Sequence, residues 1–271
     1  MILMVASTKD IAGMNIAQQV IDHYEFEKQL GLFGKHSVYV GRVENREVEL
    51  VFTDEDIVNT QYIVDLFTPE LLIFLSRHAS VSGIPTLSVH TPGNLGKAEL
   101  GGISRKVSVS PASVMKDVLL EMAKKREEMG LDYEVSYECT HHGPSLDVPT
   151  MFVELGSSPK QWKDVQAAEV VAHAAITGVH KWSRYPTALG IWGPHYNKKF
   201  TRVALTTKMA FGHIIPKHAI PRVDTKMVKQ CVEKTVEKTE LAILEWKGIK
   251  GPDKDRLIMV LNEIDVPVEK I

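Results

Sequence analysis

Cysteine and long apolar runs are both scarce in this 271-residue sequence. Its two cysteines, Cys139 and Cys231, are too few for a disulfide framework, which predicts a reducing, cytoplasmic environment. No stretch approaches the roughly 18 consecutive apolar residues of a membrane span. The N-terminal segment also lacks the basic start and the apolar length of a secretion signal. These absences predict a soluble protein without a membrane partner.

Several common catalytic signatures are absent as well. The sequence contains no HExxH, no CxxC and no GxSxG, so neither a familiar zinc-peptidase helix nor a serine nucleophile elbow is indicated. The glycine-rich stretch GKAELGG matches neither a P-loop nor a dinucleotide-binding fingerprint. Any chemistry must therefore come from residues that the fold brings together.

Short apolar runs alternate with helical patterns along the chain. MILMVAS, LLIFL, TLSV and TMFV have the length and composition of buried strands. Helices are predicted over Thr8–His23, Pro111–Met129 and, after a cap at Ser158, up to Gly178. This alternation predicts an α/β fold with a parallel or mixed central sheet. Without an obvious linker, one three-layer domain over 1–271 is the simplest arrangement.

Polar residues follow the predicted strands at the points where the strands end. In open α/β sheets, ligands bind beyond the carboxyl ends of the strands. Imidazoles and carboxylates in that position suit zinc, or general acid–base catalysis without a metal. A buried histidine with a structural role is the alternative for any one of them. The residues concerned are His78, His90, His141, His142, Glu154 and His195.

The stretch ECTHHGP is the densest part of this pattern. In an extended strand, Glu138 and His142 would stand roughly 13 Å apart, because each residue adds ~3.3 Å. They can therefore share one ion only if the chain turns back, and Gly143-Pro144 is a turn signal. Cys139 lies in the preceding strand and is expected to be a small core residue rather than a nucleophile.

The segment 181–229 is strongly basic. It contains ten Lys and Arg residues but only one acid, Asp224, so it carries +9; the whole chain carries −2, so the remainder carries −11. Aromatic residues are interleaved with these cations, a combination that binds unpaired RNA ends. A solvated surface over core aromatics is the alternative. From this segment we predict RNA contacts by Lys181, Arg184, Lys198, Lys199 and Arg202.

Several long motifs together resemble one enzyme family. SRHAS, SVHTPGN, ECTHHGP, VPTMFVELGSS, GIWGPHY and GHIIPK are similar to the D-aminoacyl-tRNA deacylases of archaea and plants, over essentially the whole chain. The resemblance implies hydrolysis of the ester between a D-amino acid and the 3′ end of tRNA. It also implies two zinc ions per chain, a monomer, and a three-layer α/β/α fold of the phosphorylase/hydrolase type with a mixed, mostly parallel sheet.

The residues and the resemblance together give a predicted site. We expect His78, Glu138, His141 and His195 to bind metal, and His142 and Glu154 to transfer protons. The tRNA acceptor end carrying the D-amino acid is the expected partner. Preference for the D-enantiomer follows from the resemblance alone.

Two rival functions remain compatible with the sequence. A zinc aminoacylase, a peptidase or a peptidyl-tRNA hydrolase would use a similar cluster on another substrate. A non-catalytic RNA-binding protein would show salt-sensitive tRNA binding without turnover or bound zinc.

Overall fold

An eight-stranded mixed sheet forms the centre of the protein. The structure is a computed structural model that describes residues 1–271, apart from the side chain of Leu32. The strand order of the sheet is β2-β3-β4-β1-β5-β10-β6-β9, and four of its seven neighbouring pairs are parallel. Its strands are β1 (Ile2–Ser7), β2 (Phe26–Phe33), β3 (His36–Val43), β4 (Arg46–Thr53), β5 (Leu71–Ala79), β6 (Thr86–His90), β9 (Glu134–Tyr137) and β10 (Thr150–Ser157); the short strands β7 (Gly93–Asn94) and β8 (Lys106–Val107) pair separately.

A second, four-stranded sheet has the order β12-β11-β13-β14 and is parallel throughout. Its strands are β11 (Thr187–Ile191), β12 (Ala210–Ile215), β13 (Thr239–Leu244) and β14 (Val268–Lys270). The predicted α/β class with a mixed, mostly parallel central sheet is confirmed. The smaller sheet was not anticipated from the sequence. A single domain over 1–271 stays a prediction.

Eight α-helices pack around the sheets of the described chain. They are α1 (Ile11–His23), α2 (Ile63–Leu66), α3 (Ala112–Glu128), α4 (Pro159–Trp162), α5 (Val165–Lys181), α6 (Lys198–Thr206), α7 (Thr225–Glu233) and α8 (Gly251–Glu263). None of the helices described is long and apolar enough to cross a membrane.

One predicted helix start is wrong, and one predicted helix begins after Ser158 as expected but is divided in two; in both cases an aspartate explains the difference. The first helix begins after Asp10, whose side chain accepts the amide of Gly13, rather than at Thr8. The predicted helix from Ser158 to Gly178 is two helices, because Asp164 caps α5 by accepting the amide of Ala167.

Alternation along the central strands separates two apolar layers. One face of the sheet, with Ile73 and Val153, packs against α1, α3 and α5. The other face, with Phe74 and Phe152, packs beneath α2 and the segment around Leu146. On this second face the strands change from apolar to polar residues near their carboxyl ends, and the candidate site lies there.

Candidate active site

Strand register places polar side chains from three neighbouring strands on one face. Glu154 of β10 lies opposite Ser76 of β5 on one side and opposite Ser88 of β6 on the other. His78 and His90 lie two residues further along β5 and β6, so they point to the same face because the side-chain period of a strand is two. The pattern of apolar runs ending in histidine therefore corresponds to one cluster in space.

The smaller sheet adds His195 to this cluster. The chain leaving β11 passes beside the end of β9, where Glu138 and Tyr196 form an isolated antiparallel bridge. The amide of Cys139 donates to the carbonyl of His195 at 3.0 Å. These contacts fix the position of a histidine that is distant in sequence from the others.

Glu138 is the centre of the cluster and is buried. Its Oε1 atom lies 3.0 Å from Nδ1 of His78 and accepts the hydroxyl of Ser88 at 2.5 Å. Its Oε2 atom lies 2.7 Å from Nε2 of His195 and 3.7 Å from Nε2 of His141. One carboxylate therefore contacts imidazoles on both sides.

Some atoms of the cluster lack the hydrogen bonds that buried polar groups normally make. Both ring nitrogens of His90, which is buried and stacks on Phe152, have no partner among the described residues. The Oε2 atom of Glu138 also has no hydrogen bond in the described chain. Nε2 of His195 lies only 2.7 Å from it, but the geometry of this contact is not that of a hydrogen bond. Unpaired atoms of this kind suit a bound cation.

His141 and His142 each present one free nitrogen to the cluster. Nδ1 of His141 lies 2.8 Å from the carbonyl of Cys139, and Nδ1 of His142 lies 2.7 Å from the carbonyl of Gly143. A carbonyl can only accept, so both Nδ1 atoms must carry the proton, and the Nε2 lone pairs are available. Metal-binding histidines are typically oriented by such a second hydrogen bond.

Two groups of side chains without a common residue have the spacing of metal ligands, and a third group, His90, Glu138 and Glu154, overlaps both. The ligand atoms of His78, Glu138 and His195 lie within 4.8 Å of one another, and so do those of His90, His141 and His142. Two ligands of one tetrahedral zinc ion lie about 3.4 Å apart, given zinc–ligand bonds of ~2.05 Å. The two groups are adjacent, since the rings of His141 and His195 are 4.3 Å apart.

The histidine rings of the second group are held in the neutral form, which is the form that binds metal. Burial lowers the pKa of His90 and His141 well below the usual value, and neighbouring histidines reinforce the effect at His141. Burial lowers the pKa of His142 to about 4. In the first group, burial opposes protonation of His78, but its contacts with Glu138 and Glu154 raise the pKa to about 10.

The two buried carboxyl groups differ in charge. Burial opposes ionisation of Glu138, yet its contacts with His195 and His78 hold the pKa well below the usual value. For Glu154, burial and the nearby charge of Glu138 raise the pKa to about 8, and its contact with His78 only partly offsets this rise. Near neutral pH, Glu138 is therefore ionised and Glu154 carries a proton.

Two cavities open on either side of the cluster. The larger cavity has a volume of about 760 Å³ and lies between the segment from Gly93 to Arg105 and the turn after β12. The smaller cavity has a volume of about 500 Å³ and lies between the loop after β1 and the end of β5. Leu100, His141 and His142 line both cavities, so a substrate can reach the cluster from either side.

A sequence model of the D-aminoacyl-tRNA deacylase family matches residues 66–269. The chain belongs to this family. The D-aminoacyl-tRNA deacylase of Pyrococcus furiosus is 34% identical over 94% of this chain and 94% of its own length. That of Methanosarcina acetivorans is 32% identical over 99% of this chain and 92% of its own length. The crystal structure of a conserved protein of unknown function superposes with a TM-score of 0.90 at 28% identity, covering 100% of this chain and 95% of the other.

Membership in the D-aminoacyl-tRNA deacylase family confirms the predicted resemblance and makes the chain an ester hydrolase. The rival interpretations, a peptidase-like enzyme and a non-catalytic RNA-binding protein, lose their support. The individual roles of the site residues, in contrast, stay predictions.

All six of the predicted metal and proton-transfer residues lie in the one cluster. The rings of His141 and His142 lie 4.1 Å from each other, and His142 has a left-handed backbone conformation with a φ of 40°. Cys139 is buried, its pKa is raised to about 12 by burial, and its thiol donates to the carbonyl of Pro194, as expected of a core residue. The predicted residues are His78, Glu138, His141, His142, Glu154 and His195.

His90 belongs to the cluster but was not among the predicted ligands. The signal was present, because His90 ends a strand like the other histidines. Ser88 was also missed, since a serine inside a strand gives no sign of function until the register is known. Its hydroxyl fixes one oxygen of Glu138.

The five cations predicted to contact RNA lie outside the described linings of both cavities. Lys181 is paired with Glu121, Lys198 with Glu134 and Lys199 with Glu245, at 2.7–2.9 Å. Arg184 follows α5, and Arg202 is exposed on α6. Contact of these five residues with RNA stays a prediction. The basic segment reaches the site further along the chain, at His218 and Arg222.

Proposed function

We propose that this deacylase hydrolyses the ester of D-aminoacyl-tRNA with two zinc ions, which Glu138 and the histidines of the cluster would hold. The central support is the position of Glu138, a buried carboxylate with imidazoles against both of its oxygens. The orphaned nitrogens of His90 are a second, independent support. The donor set consists of histidine and glutamate, which suits zinc.

Each ion would have its own group of side chains. His78, Glu138 and His195 would hold one ion, and His90, His141 and His142 the other. This arrangement gives His142 the role of a ligand, whereas the sequence suggested proton transfer. When bound, zinc lowers the pKa of a coordinated water towards about 7 and polarises a carbonyl oxygen.

The remaining carboxyl group is suited to proton transfer. Glu154 lies 3.3 Å from His78 and lines the smaller cavity. With a pKa of about 8, it holds a proton near neutral pH. Glu154 would donate this proton to the departing ribose oxygen, and His78 would orient it. An ester of this kind is already reactive, so no nucleophilic side chain is required.

Release of tyrosine from D-tyrosyl-tRNA and from L-tyrosyl-tRNA, before and after chelation, tests this function. We expect release from the D-ester only, loss of activity with a chelator, and recovery when zinc is restored. Zinc bound per chain, measured by elemental analysis in the same samples, should fall and recover in parallel. D-specific release that survives complete removal of metal would contradict the role of zinc. No release from either ester would contradict the function itself.

A further inference from the structure

The larger cavity is not explained by the metal ligands alone. It shares only Leu100, His141 and His142 with the smaller cavity and extends away from the cluster towards Lys97 and Arg222. At about 760 Å³ it has the size of a site for a small organic molecule. A cavity of this size beside the reacting ester could hold either the amino acid or the terminal nucleotide of the substrate.

The two cavities differ in charge. The larger cavity is lined by three Lys or Arg residues and one acid, which gives +2. The smaller cavity is lined by two Lys or Arg residues and two aspartates, which balance, and by Glu154, which holds a proton near neutral pH. In the reacting end of an aminoacyl-tRNA, a phosphate lies on one side of the ester and an α-ammonium group on the other, so the phosphate matches the more positive cavity.

Two cations of the larger cavity are available to a ligand. Arg105 is paired with Asp224 through both carboxylate oxygens at 2.7 and 2.8 Å. Lys97 and Arg222, in contrast, are exposed and form no ion pair within the described chain. His218 lies beside Arg222 and Lys217, and burial together with these charges lowers its pKa. The positive charge on this wall is therefore not neutralised by the protein.

The remainder of the larger cavity has apolar surface. Leu95, Pro216 and Ala219 line it and are mostly buried, so they form a fixed wall. A nucleoside presents apolar faces of its base and ribose, and its phosphate is the only charged part. A cavity with an apolar wall and two unpaired cations therefore fits a nucleotide better than a free amino acid.

We propose that the larger cavity binds the 3′-terminal nucleotide of the tRNA, with Arg222 and Lys97 contacting its phosphate. The amino acid then lies in the smaller cavity, and the ester between them lies at His141 and His142. This inference rests on the proposed deacylase function. Arginine forms paired, charge-assisted hydrogen bonds with phosphate, which makes Arg222 the stronger of the two contacts.

Two probes that differ only in RNA and phosphate test this assignment. The first is D-tyrosyl-tRNA, and the second is the D-tyrosyl ester of adenosine, which has no phosphate. Arg222→Gln and Lys97→Gln are compared with Lys229→Gln, a control in the same basic segment that lies on α7 outside both cavities. Arg222 is exposed, so removal of its charge should leave the fold intact.

For Arg222→Gln we expect a KM for D-tyrosyl-tRNA about tenfold higher, with kcat unchanged, since one hydrogen-bonded charge is lost. The salt dependence of kcat/KM should become shallower by about 0.7 in log–log slope, the value for one single-strand phosphate. Hydrolysis of D-tyrosyl-adenosine should be unchanged. Lys97→Gln should show a smaller effect of the same kind, and Lys229→Gln none.

Three results would overturn the inference. They are an equal loss on both probes, no loss on D-tyrosyl-tRNA, and a loss of the same size in Lys229→Gln. Failure of the proposed function would look different, because the wild-type protein would then hydrolyse neither probe. In that case the assignment of the cavity falls with the function.

Discussion

The larger and smaller cavities differ in charge, although they meet at the same two histidines. The larger cavity is formed by the segment after β7 and by the turn after β12, so it combines residues from both parts of the fold. The smaller cavity is formed mostly by the ends of β1, β5 and β10 and by the loops that follow β1 and β4. The central sheet and its loops therefore provide the acids of the site, whereas the segments after β7 and β12 provide the unpaired cations that are proposed to face RNA.

The largest effect should come from Glu138, which lies at the centre of the cluster between the cavities. Glu138→Gln keeps the size of the side chain but removes the negative charge that would help to hold zinc. We expect bound zinc to fall and hydrolysis of D-tyrosyl-tRNA to drop at least about 100-fold. Elemental analysis and single-turnover kinetics on the same preparation measure the two quantities.

Glu154→Gln is the matched control, since Glu154 is another buried carboxyl group in the cluster. It should keep both zinc ions while slowing the chemical step, because Glu154 is proposed to carry a proton rather than to bind metal. Full zinc content in Glu138→Gln, or loss of zinc in Glu154→Gln, would show that the two roles are wrongly assigned.

A smaller effect is expected from a substitution in the smaller cavity, which is proposed to hold the amino acid. Asp56 is exposed and lines the smaller cavity, where it can attract the α-ammonium group of the substrate. Asp56→Asn should raise the KM for D-tyrosyl-tRNA only about threefold, because exposed charges contribute ~0.2–1 kcal/mol. The KM for N-acetyl-D-tyrosyl-tRNA, which has no ammonium charge, should not change.

Asp65→Asn on α2 is the control for this substitution, since Asp65 is exposed but does not line the cavity. An equal rise in KM for the acetylated and free substrates would contradict an ammonium contact at Asp56. Arg222→Gln, Lys97→Gln and Asp56→Asn together would then no longer support the placement of the nucleotide in the larger cavity and of the amino acid in the smaller one.

Much of the central sheet and the site could be predicted from the sequence. Buried strands have a strong apolar signal, and the polar residues that follow them must gather at one edge. His90 was the cluster residue that the sequence did not single out as a ligand. It ends its strand like the other histidines, and only its unpaired nitrogens in the structure mark it as a candidate ligand. Register across β10, which places Glu154 opposite Ser88, is not visible in the sequence.

The RNA-facing surface could not be predicted in the same way. Charge counting identified the basic segment but not which of its cations are neutralised. Lys198 and Lys199 have carboxylate partners that are distant in sequence, whereas Arg222 has none within the described residues. Pairing between distant charges depends on tertiary structure, so local composition cannot show it.

The start of α1 and the break before α5 were missed for a local reason. Asp10 and Asp164 each cap a helix, but serine or threonine stood at an equally plausible position a few residues earlier. Short polar side chains have similar capping preferences, so the sequence alone does not choose between them.

Diffraction from zinc-loaded crystals at the zinc absorption edge tests the metal assignment directly. The two ligand groups predict two anomalous peaks at the cluster, one beside His78, Glu138 and His195 and one beside His90, His141 and His142. A single peak, or peaks away from these side chains, would contradict the assignment.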